Sequence, residues 1–498
     1  MADQWVTLPD GTRLATDCYC PPRPAPVVLR RTPYSRRTLC DEALLWVDLG
    51  YAFVAQDVRG RGDSDGTWAP CQHEDADGEG TLRWLADQPW CDGRVIAGGW
   101  SYEAYAALEL PDHPALVGRV LGFPFPGLHD LRYGPGRVFR VGHDLWWWLN
   151  HGSGRTSRPG FAEAMLDREP TVFLGPVSRL PHRLWGQLGA WPTPETPLHP
   201  TTFVKSRVPQ LILTGWYDVF VDEALRLWEA SPSGSALVVG CWTSALNQPV
   251  REQCARDFGP AADLALGDLQ VAWLDALLGN TTGAPPAVQT FLIGTHRWVS
   301  GERWPPEPVG AGRLFLGADG ALGSLVRGSR DFWSDPANPS PTPLPADDLA
   351  QRELRGDLLT FLSQPLPAPL RWYGSPCLEV VGESAAPSVD WVARLAYCEP
   401  DGGTFLLGEA LVEDTNATAT SHCLTVVFPP QAVELPAGSR LLVEVGGSSY
   451  PRYSVNPLTG QSRLTAQHGR PARQTLVCGV GGSHLTLPIA RGSPWTPP

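Results

Sequence analysis

The stretch Gly99-Trp100-Ser101-Tyr102-Glu103-Ala104 carries the most specific chemistry in the chain. A serine at a sharp turn from strand to helix stands clear of the backbone, where its hydroxyl can attack a carbonyl carbon. Such a turn needs small neighbours, because its backbone is strained and the helix packs close to the strand. Gly98 and Gly99 supply that space before the serine, and Ala104 supplies it after. A serine here could also cap an ordinary helix. The context favours the nucleophile: Val95-Ile96-Ala97-Gly98-Gly99 reads as a strand and Ser101 to Leu110 as a helix. Two other motifs carry less. His73-Glu74-Asp75-Ala76-Asp77 has metal-ligand residue types, but an acidic first turn of a helix accounts for them. Arg59-Gly60-Arg61-Gly62 lacks the spacing of a phosphate-binding loop. No metal and no cofactor is expected.

The elements that must position Ser101 follow the same rhythm. Val27-Val28-Leu29 and Tyr51-Ala52-Phe53-Val54-Ala55-Gln56 read as strands, and His73 to Asp87 as a helix. Strands alternating with helices predict βαβ units and a parallel sheet. Residues 122–205 break the pattern with proline, glycine, tryptophan and histidine, which suits a helical cap inserted over an active site. Within it, His143 stands beside Trp146-Trp147-Trp148, a run that could line a pocket or pack a cap helix on the sheet. Strands resume at Val208–Leu213 and Ala236–Gly240. Beyond Gly283-Ala284-Pro285-Pro286, short apolar runs between Gly/Pro turns predict an antiparallel β-sandwich. The expected fold is therefore α/β, in three parts. Residues 1–121 and 206–282 form the α/β domain, 122–205 a helical cap, and 283–498 a jelly-roll-like sandwich.

Composition narrows the function. With 498 residues the chain exceeds what one core supports. It has 43% hydrophobic and 18% charged residues, as a compact globular protein does. A formal charge of −13 argues against a nucleic-acid partner. No apolar run is long enough to span a membrane, and Met1-Ala2-Asp3-Gln4-Trp5 does not open a secretory signal. The 11 cysteines show no metal or redox spacing and are expected to be reduced, in a cytoplasmic protein. Oligomeric state is open. The expected partner is a small-molecule substrate.

Several further motifs resemble the family of cocaine esterase, α-amino-acid ester hydrolases and Xaa-Pro dipeptidyl-peptidases. They are Arg31-Thr32-Pro33-Tyr34, Gln56-Asp57-Val58-Arg59-Gly60, Trp90-Cys91-Asp92-Gly93, Tyr133-Gly134-Pro135-Gly136, Gly215-Trp216-Tyr217-Asp218 and Ser448-Ser449-Tyr450-Pro451-Arg452-Tyr453. The resemblance spans nearly the whole chain and implies an α/β-hydrolase. By position, it implies that Ser101 is the nucleophile. It further implies that the Tyr102 N–H and the Tyr34 hydroxyl hold the oxyanion, and that Asp218 is the acid that orients the catalytic histidine. Asp218 could equally cap the helix begun by Val221-Asp222-Glu223-Ala224.

One position departs from the family. After Leu237-Val238-Val239-Gly240 the histidine is due, yet the chain reads Cys241-Trp242-Thr243-Ser244, and Ser244 stands in its place. No histidine occurs between His199 and His296, so a shifted register does not supply one. A serine hydroxyl is a weak nucleophile without a proton acceptor. Losing the base from a serine protease costs about 10⁶ in turnover and leaves roughly 10³–10⁴ over water. Candidate substitute bases are His143 and His151 in the cap and Glu103, although residues two apart on a helix do not face each other. Cys241 is a poorer substitute nucleophile, with nothing near it to lower its pKa.

Three readings follow. The first is a family hydrolase acting through Ser101 on a small ester, amide or activated acyl substrate, with an incomplete triad. The second is a non-hydrolytic enzyme of specialised metabolism, performing cyclisation, elimination or acyl transfer in the same pocket. The third is a ligand-binding relative without activity. An aminopeptidase would also need an acidic subsite, which Asp130, Asp144 and Glu163 do not define from sequence alone.

Overall fold

The computed structural model describes residues 3–133, 138–162, 164, 206–244, 254–281, 283–351, 355–400, 402–417 and 421–495. Its first half is built on a ten-stranded sheet of order β1-β2-β4-β3-β5-β6-β7-β8-β9-β10. The strands are β1 (Gln4–Thr7), β2 (Arg13–Tyr19), β3 (Ala25–Thr32), β4 (Ala52–Asp57), β5 (Cys91–Trp100), β6 (Leu116–Gly122), β7 (Gln210–Gly215), β8 (Ala236–Gly240), β9 (Val288–Leu292) and β10 (Arg297–Gly301). From β4 through β9 neighbouring strands run parallel, and antiparallel pairs finish both edges. Strands β4, β7 and β8 are buried along their whole length, as strands covered by helices on both faces must be.

The connections are helical: α1 (Cys40–Asp48), α2 (Glu74–Ala86) and α3 (Tyr102–Leu108) link the strands up to β6. Between β6 and β7 lies an insertion with α4 (Leu128–Tyr133) and α5 (Val141–Trp147), whose helix carries on to Gly152. The expected cap falls here, but Gly134, Pro135, Gly136, Glu163 and residues 165–205 lie outside the described residues. Helices α6 (Val221–Ala230) and α7 (Leu266–Leu277) complete the domain.

Val288–Leu292 falls in a different sheet from the one its sequence suggests. Expected to open the sandwich, it pairs parallel with β8 and extends the first sheet, with β10 folded back on it. A short apolar run suits a buried strand in either sheet, so local pattern does not choose between them. The chain then crosses over directly: Ile293 donates its N–H to Ala432 O and accepts from Glu434 N–H.

The remaining residues form an eight-stranded and a five-stranded sheet, antiparallel except for one short parallel pair. Leu378, Val380 and Leu485 of the larger sheet share one buried core with Phe361, Leu395 and Val443 of the smaller. Phe332 and Trp391 meet edge-on across the gap. Among the described residues no helix is long and apolar enough to cross a membrane.

Candidate active site

Ser101 stands at the junction of β5 and α3 with φ 55° and ψ −117°, a left-handed conformation that costs a non-glycine residue energy. The turn is held on every side. Ser101 donates its N–H to Gly122 O on β6 at 2.8 Å. A Cβ on Gly99 would lie 2.4 Å from Glu103 Cβ, and one on Gly98 would lie 2.2 Å from Val120 O. The small residues read from the sequence are therefore the ones the turn needs, and the strained serine is what they deliver.

Tyr34, just past β3, comes to the same point. Its hydroxyl accepts from the indole N–H of Trp147 at 3.3 Å and lies near enough to the Ser101 side chain and the Tyr102 backbone N–H for both to favour its ionised form. Burial pushes the Tyr34 phenol above its ordinary pKa, against the pull of those three donors, so it is neutral at pH 7. The ring of Tyr102 points away from the serine. Its hydroxyl donates to Glu74 Oε1 at 2.9 Å and accepts from the Cys71 N–H at 2.8 Å. Glu74 in turn pairs with buried Arg31 at 3.0 Å. The acidic first turn of α2 thus has a second use that the sequence did not show.

Asp218 follows β7, whose end lies against the end of β8. Trp216 N–H donates to Gly240 O at 2.8 Å, and Tyr217 N–H to Trp242 O at 3.3 Å. Gly215 permits this, since a Cβ there would sit 2.0 Å from Trp242 O. The Asp218 carboxylate accepts from Thr214 Oγ1 at 3.3 Å, whereas α6 has Phe220 at its N-cap and no side-chain cap hydrogen bond, so the helix-capping role expected as an alternative is not what Asp218 performs. Its Oδ1 is buried and has no hydrogen-bond partner among the described residues. Burial, with Glu223 next in effect, pushes its pKa up to about 7. Ser244 is exposed, four residues past β8, and residues 245–253 beyond it lie outside the described ones.

The candidate bases separate clearly. Glu103 accepts from the Trp100 N–H at 3.3 Å; burial pushes its pKa up to about 7 against the pull of nearby Thr32 and Arg30. His143 packs edge-on against Phe220, with ring centres 5.4 Å apart, and burial beside Arg140 and Arg452 pushes it down to about 3. His151 is the one brought to the serine's own partners. Its ring meets Tyr34 edge-on at 4.9 Å and Trp147 at 6.0 Å. Burial raises Cys241 far above the ordinary thiol range, which leaves it inert.

Trp147 is the residue sequence reasoning undervalued. Its indole stacks on Tyr102, with ring centres 5.8 Å apart and planes 11° from parallel, while its N–H reaches Tyr34. The tryptophan run was visible, but not which indole would turn toward the serine. Of the acids weighed for an ammonium subsite, Asp144 is paired with Arg132 at 3.3 Å in full burial, and Asp130 lies 3.8 Å from Arg226. Among the described residues no cluster suits a metal ion.

The chain is similar to known proteins over most of its length. The family described as X-Pro dipeptidyl-peptidase (S15 family) matches residues 10–244, and the X-Pro dipeptidyl-peptidase C-terminal non-catalytic domain matches residues 280–484. A cocaine esterase of Rhodococcus sp. (strain MB1 Bresler) is 29% identical over 537 residues, covering 91% of this chain and 92% of that protein. Among solved structures, an aminopeptidase from a marine sediment Thaumarchaeota archaeon has a TM-score of 0.79 at 23% identity, covering 98% of this chain and 96% of its own. An α-amino acid ester hydrolase has a TM-score of 0.77 at 22% identity, with the same coverage of 98% and 96%. These two likenesses show the fold.

Proposed function

From the membership of this chain in the X-Pro dipeptidyl-peptidase (S15) family of hydrolases, we propose a serine hydrolase that cleaves small esters, amides or activated acyl compounds through Ser101. One observation carries the reading: the strained Ser101 keeps its side chain against the Tyr34 hydroxyl, beside the Tyr102 N–H. Those two donors would meet the negative charge that grows on the carbonyl oxygen as Ser101 attacks, where one donor is worth roughly 10²–10³ in rate. A site that had lost its purpose would have no reason to retain the backbone strain, which costs of order 1–3 kcal/mol.

Asp218 keeps its place at the end of β7, while Ser244 takes that of its histidine. The hydrolase therefore works with an incomplete triad and is slow. The insertion carrying Trp147 and His151 acts as the helical cap over the pocket, and the C-terminal half as a jelly-roll-like sandwich. The test is turnover of a panel of small phenyl and p-nitrophenyl esters and amino-acid anilides. We expect slow hydrolysis that falls to the uncatalysed rate in Ser101→Ala. Hydrolysis unchanged by that substitution would overturn the proposal. Absence of all hydrolysis, with conversion of a substrate by cyclisation or elimination in Ser101→Ala, would move the chain to the non-hydrolytic reading.

A further inference from the structure

The two strands that lead to Ser101 and Tyr34 part just before they reach the site. β5 pairs with β3 only as far as Ala97, opposite Leu29, whereas its pairing with β6 runs on through Gly98, Gly99 and Trp100. β3 stays with β4 to its end at Thr32, opposite Asp57, and Tyr34 follows two residues later. The parting separates the serine from the tyrosine and leaves a gap on one side of β5. Along a parallel strand, successive residues turn their N–H groups to alternate neighbours. Ser101 gives its N–H to Gly122 O on β6, so the Trp100 N–H faces the β3 side, where the ladder has already ended.

Glu103 fills that gap from the first turn of α3. Its Oε2 accepts from the Trp100 N–H at 3.3 Å. Gly99 makes the room, since a Cβ there would lie 2.5 Å from Glu103 Oε2 and 3.3 Å from Arg30 Cδ on β3. The carboxyl is therefore buried between the two strands, while the Arg30 guanidinium goes to Glu42 at 2.9 Å. On the β3 side of the junction Thr32 is fully buried, and its Oγ1 accepts from the Tyr34 N–H at 3.1 Å.

We propose that Glu103 is a positioning residue for hydrolysis, a wedge that holds the Ser101 turn at a fixed separation from the strand carrying Tyr34. The role rests on the reading of Ser101 as nucleophile and Tyr34 as oxyanion donor. A buried N–H left without an acceptor costs about 1–3 kcal/mol. The strain held at Ser101 is of the same order, so the turn would relax toward β3 if the Trp100 N–H lost its partner. What the wedge needs is an acceptor of this length; a neutral amide oxygen meets the need as a carboxylate does. No proton passes to Glu103, because its carboxyl is engaged with the backbone behind the serine.

The experiment compares Glu103→Leu, which keeps the bulk and removes the acceptor, with Glu103→Gln, which keeps both. With p-nitrophenyl acetate, Glu103→Leu should lower kcat by about tenfold or more and leave KM within about twofold. Glu103→Gln should keep kcat within about threefold of the native value. Hydrogen exchange at the Trp100 amide should quicken about tenfold in Glu103→Leu and stay at the native rate in Glu103→Gln. A native kcat in Glu103→Leu, a loss confined to KM, or a Gln variant as slow as the Leu variant would overturn the wedge. Should Glu103→Leu fail to fold, Thr32→Val decides: it removes the acceptor of the Tyr34 N–H at the same junction and should lower kcat with KM unchanged, and a native kcat overturns the wedge. Ser101-dependent turnover with either overturning result removes the wedge and keeps the hydrolase. Turnover that survives Ser101→Ala removes the hydrolase and this role with it, whatever the exchange at Trp100 shows of the hydrogen bond.

Discussion

At the Asp218 carboxyl, burial and the charge of Glu223 raise the pKa from the ordinary 3.8 to about 7 against the weaker pull of Thr214 and Arg140, and among the described residues no imidazolium adds to that pull. A carboxyl whose folded pKa lies above its unfolded one favours the fold only while it is protonated. Its favourable effect is full below about pH 4 and is lost as pH rises through about 7. By pH 8 the ionised group costs on the order of 4 kcal/mol relative to a neutral side chain. Asp218→Asn keeps the acceptor for Thr214 Oγ1. We expect it to raise the melting temperature at pH 8 and to leave it unchanged at pH 4. Destabilisation at pH 8 would show that the carboxylate has a cationic partner. At the same scale, Trp147→Phe removes the N–H that bonds Tyr34 while keeping an aromatic face on Tyr102. Turnover should fall about fivefold with little change in KM, since a single neutral hydrogen bond of roughly 1 kcal/mol is lost. A change confined to KM would mean that Trp147 binds substrate and positions nothing.

The elements explain why part of the site was legible in the sequence and part was not. The strand-to-helix turn is specified by neighbours in the chain, so Gly98, Gly99 and Ser101 announce it. A Gly99→Ala variant makes the point testable. Its φ of 144° and the 2.4 Å approach to Glu103 Cβ predict a loss of about 3 kcal/mol or more, read as a large fall in melting temperature. Asp218, by contrast, was singled out only by the family resemblance. The Trp147–Tyr34 and Glu74–Tyr102 contacts join residues 113 and 28 positions apart, and no local pattern encodes how those elements turn toward each other. The insertion is also pinned from below. Arg61, fully buried and without a carboxylate hydrogen-bond partner among the described residues, donates to Pro33 O, Ser153 O, Gly154 O and Ser157 Oγ. In the sequence it was only part of a glycine-rich loop. Arg61→Met should leave these acceptors unpaired and cost about 3 kcal/mol. Limited proteolysis should then cut between Ser153 and Ser157, and resistance equal to the native chain would contradict this.

Across the whole molecule, the site depends on contacts between all three parts. The insertion touches the sandwich where Gly142 N–H donates to Pro451 O and Ser454 N–H to Phe139 O. The Asp218 loop touches it where the Tyr217 hydroxyl donates to Leu406 O at 3.2 Å. Arg256 binds Glu399 and Tyr397, and β9 runs on into a bridge with Val433. These links predict one cooperative unfolding transition in calorimetry, and two separated transitions would contradict them. The sequence placed a boundary near residue 282, but β9 and β10 carry the first sheet past it because strand partners are chosen by the assembled core. The central claim remains that Ser101 is a working nucleophile in a site whose histidine position holds Ser244. Intact-mass and peptide mass spectrometry after treatment with a fluorophosphonate tests it most directly. The account predicts slow, single labelling at Ser101 that vanishes in Ser101→Ala; a chain left unlabelled, or labelled at another serine, would contradict it.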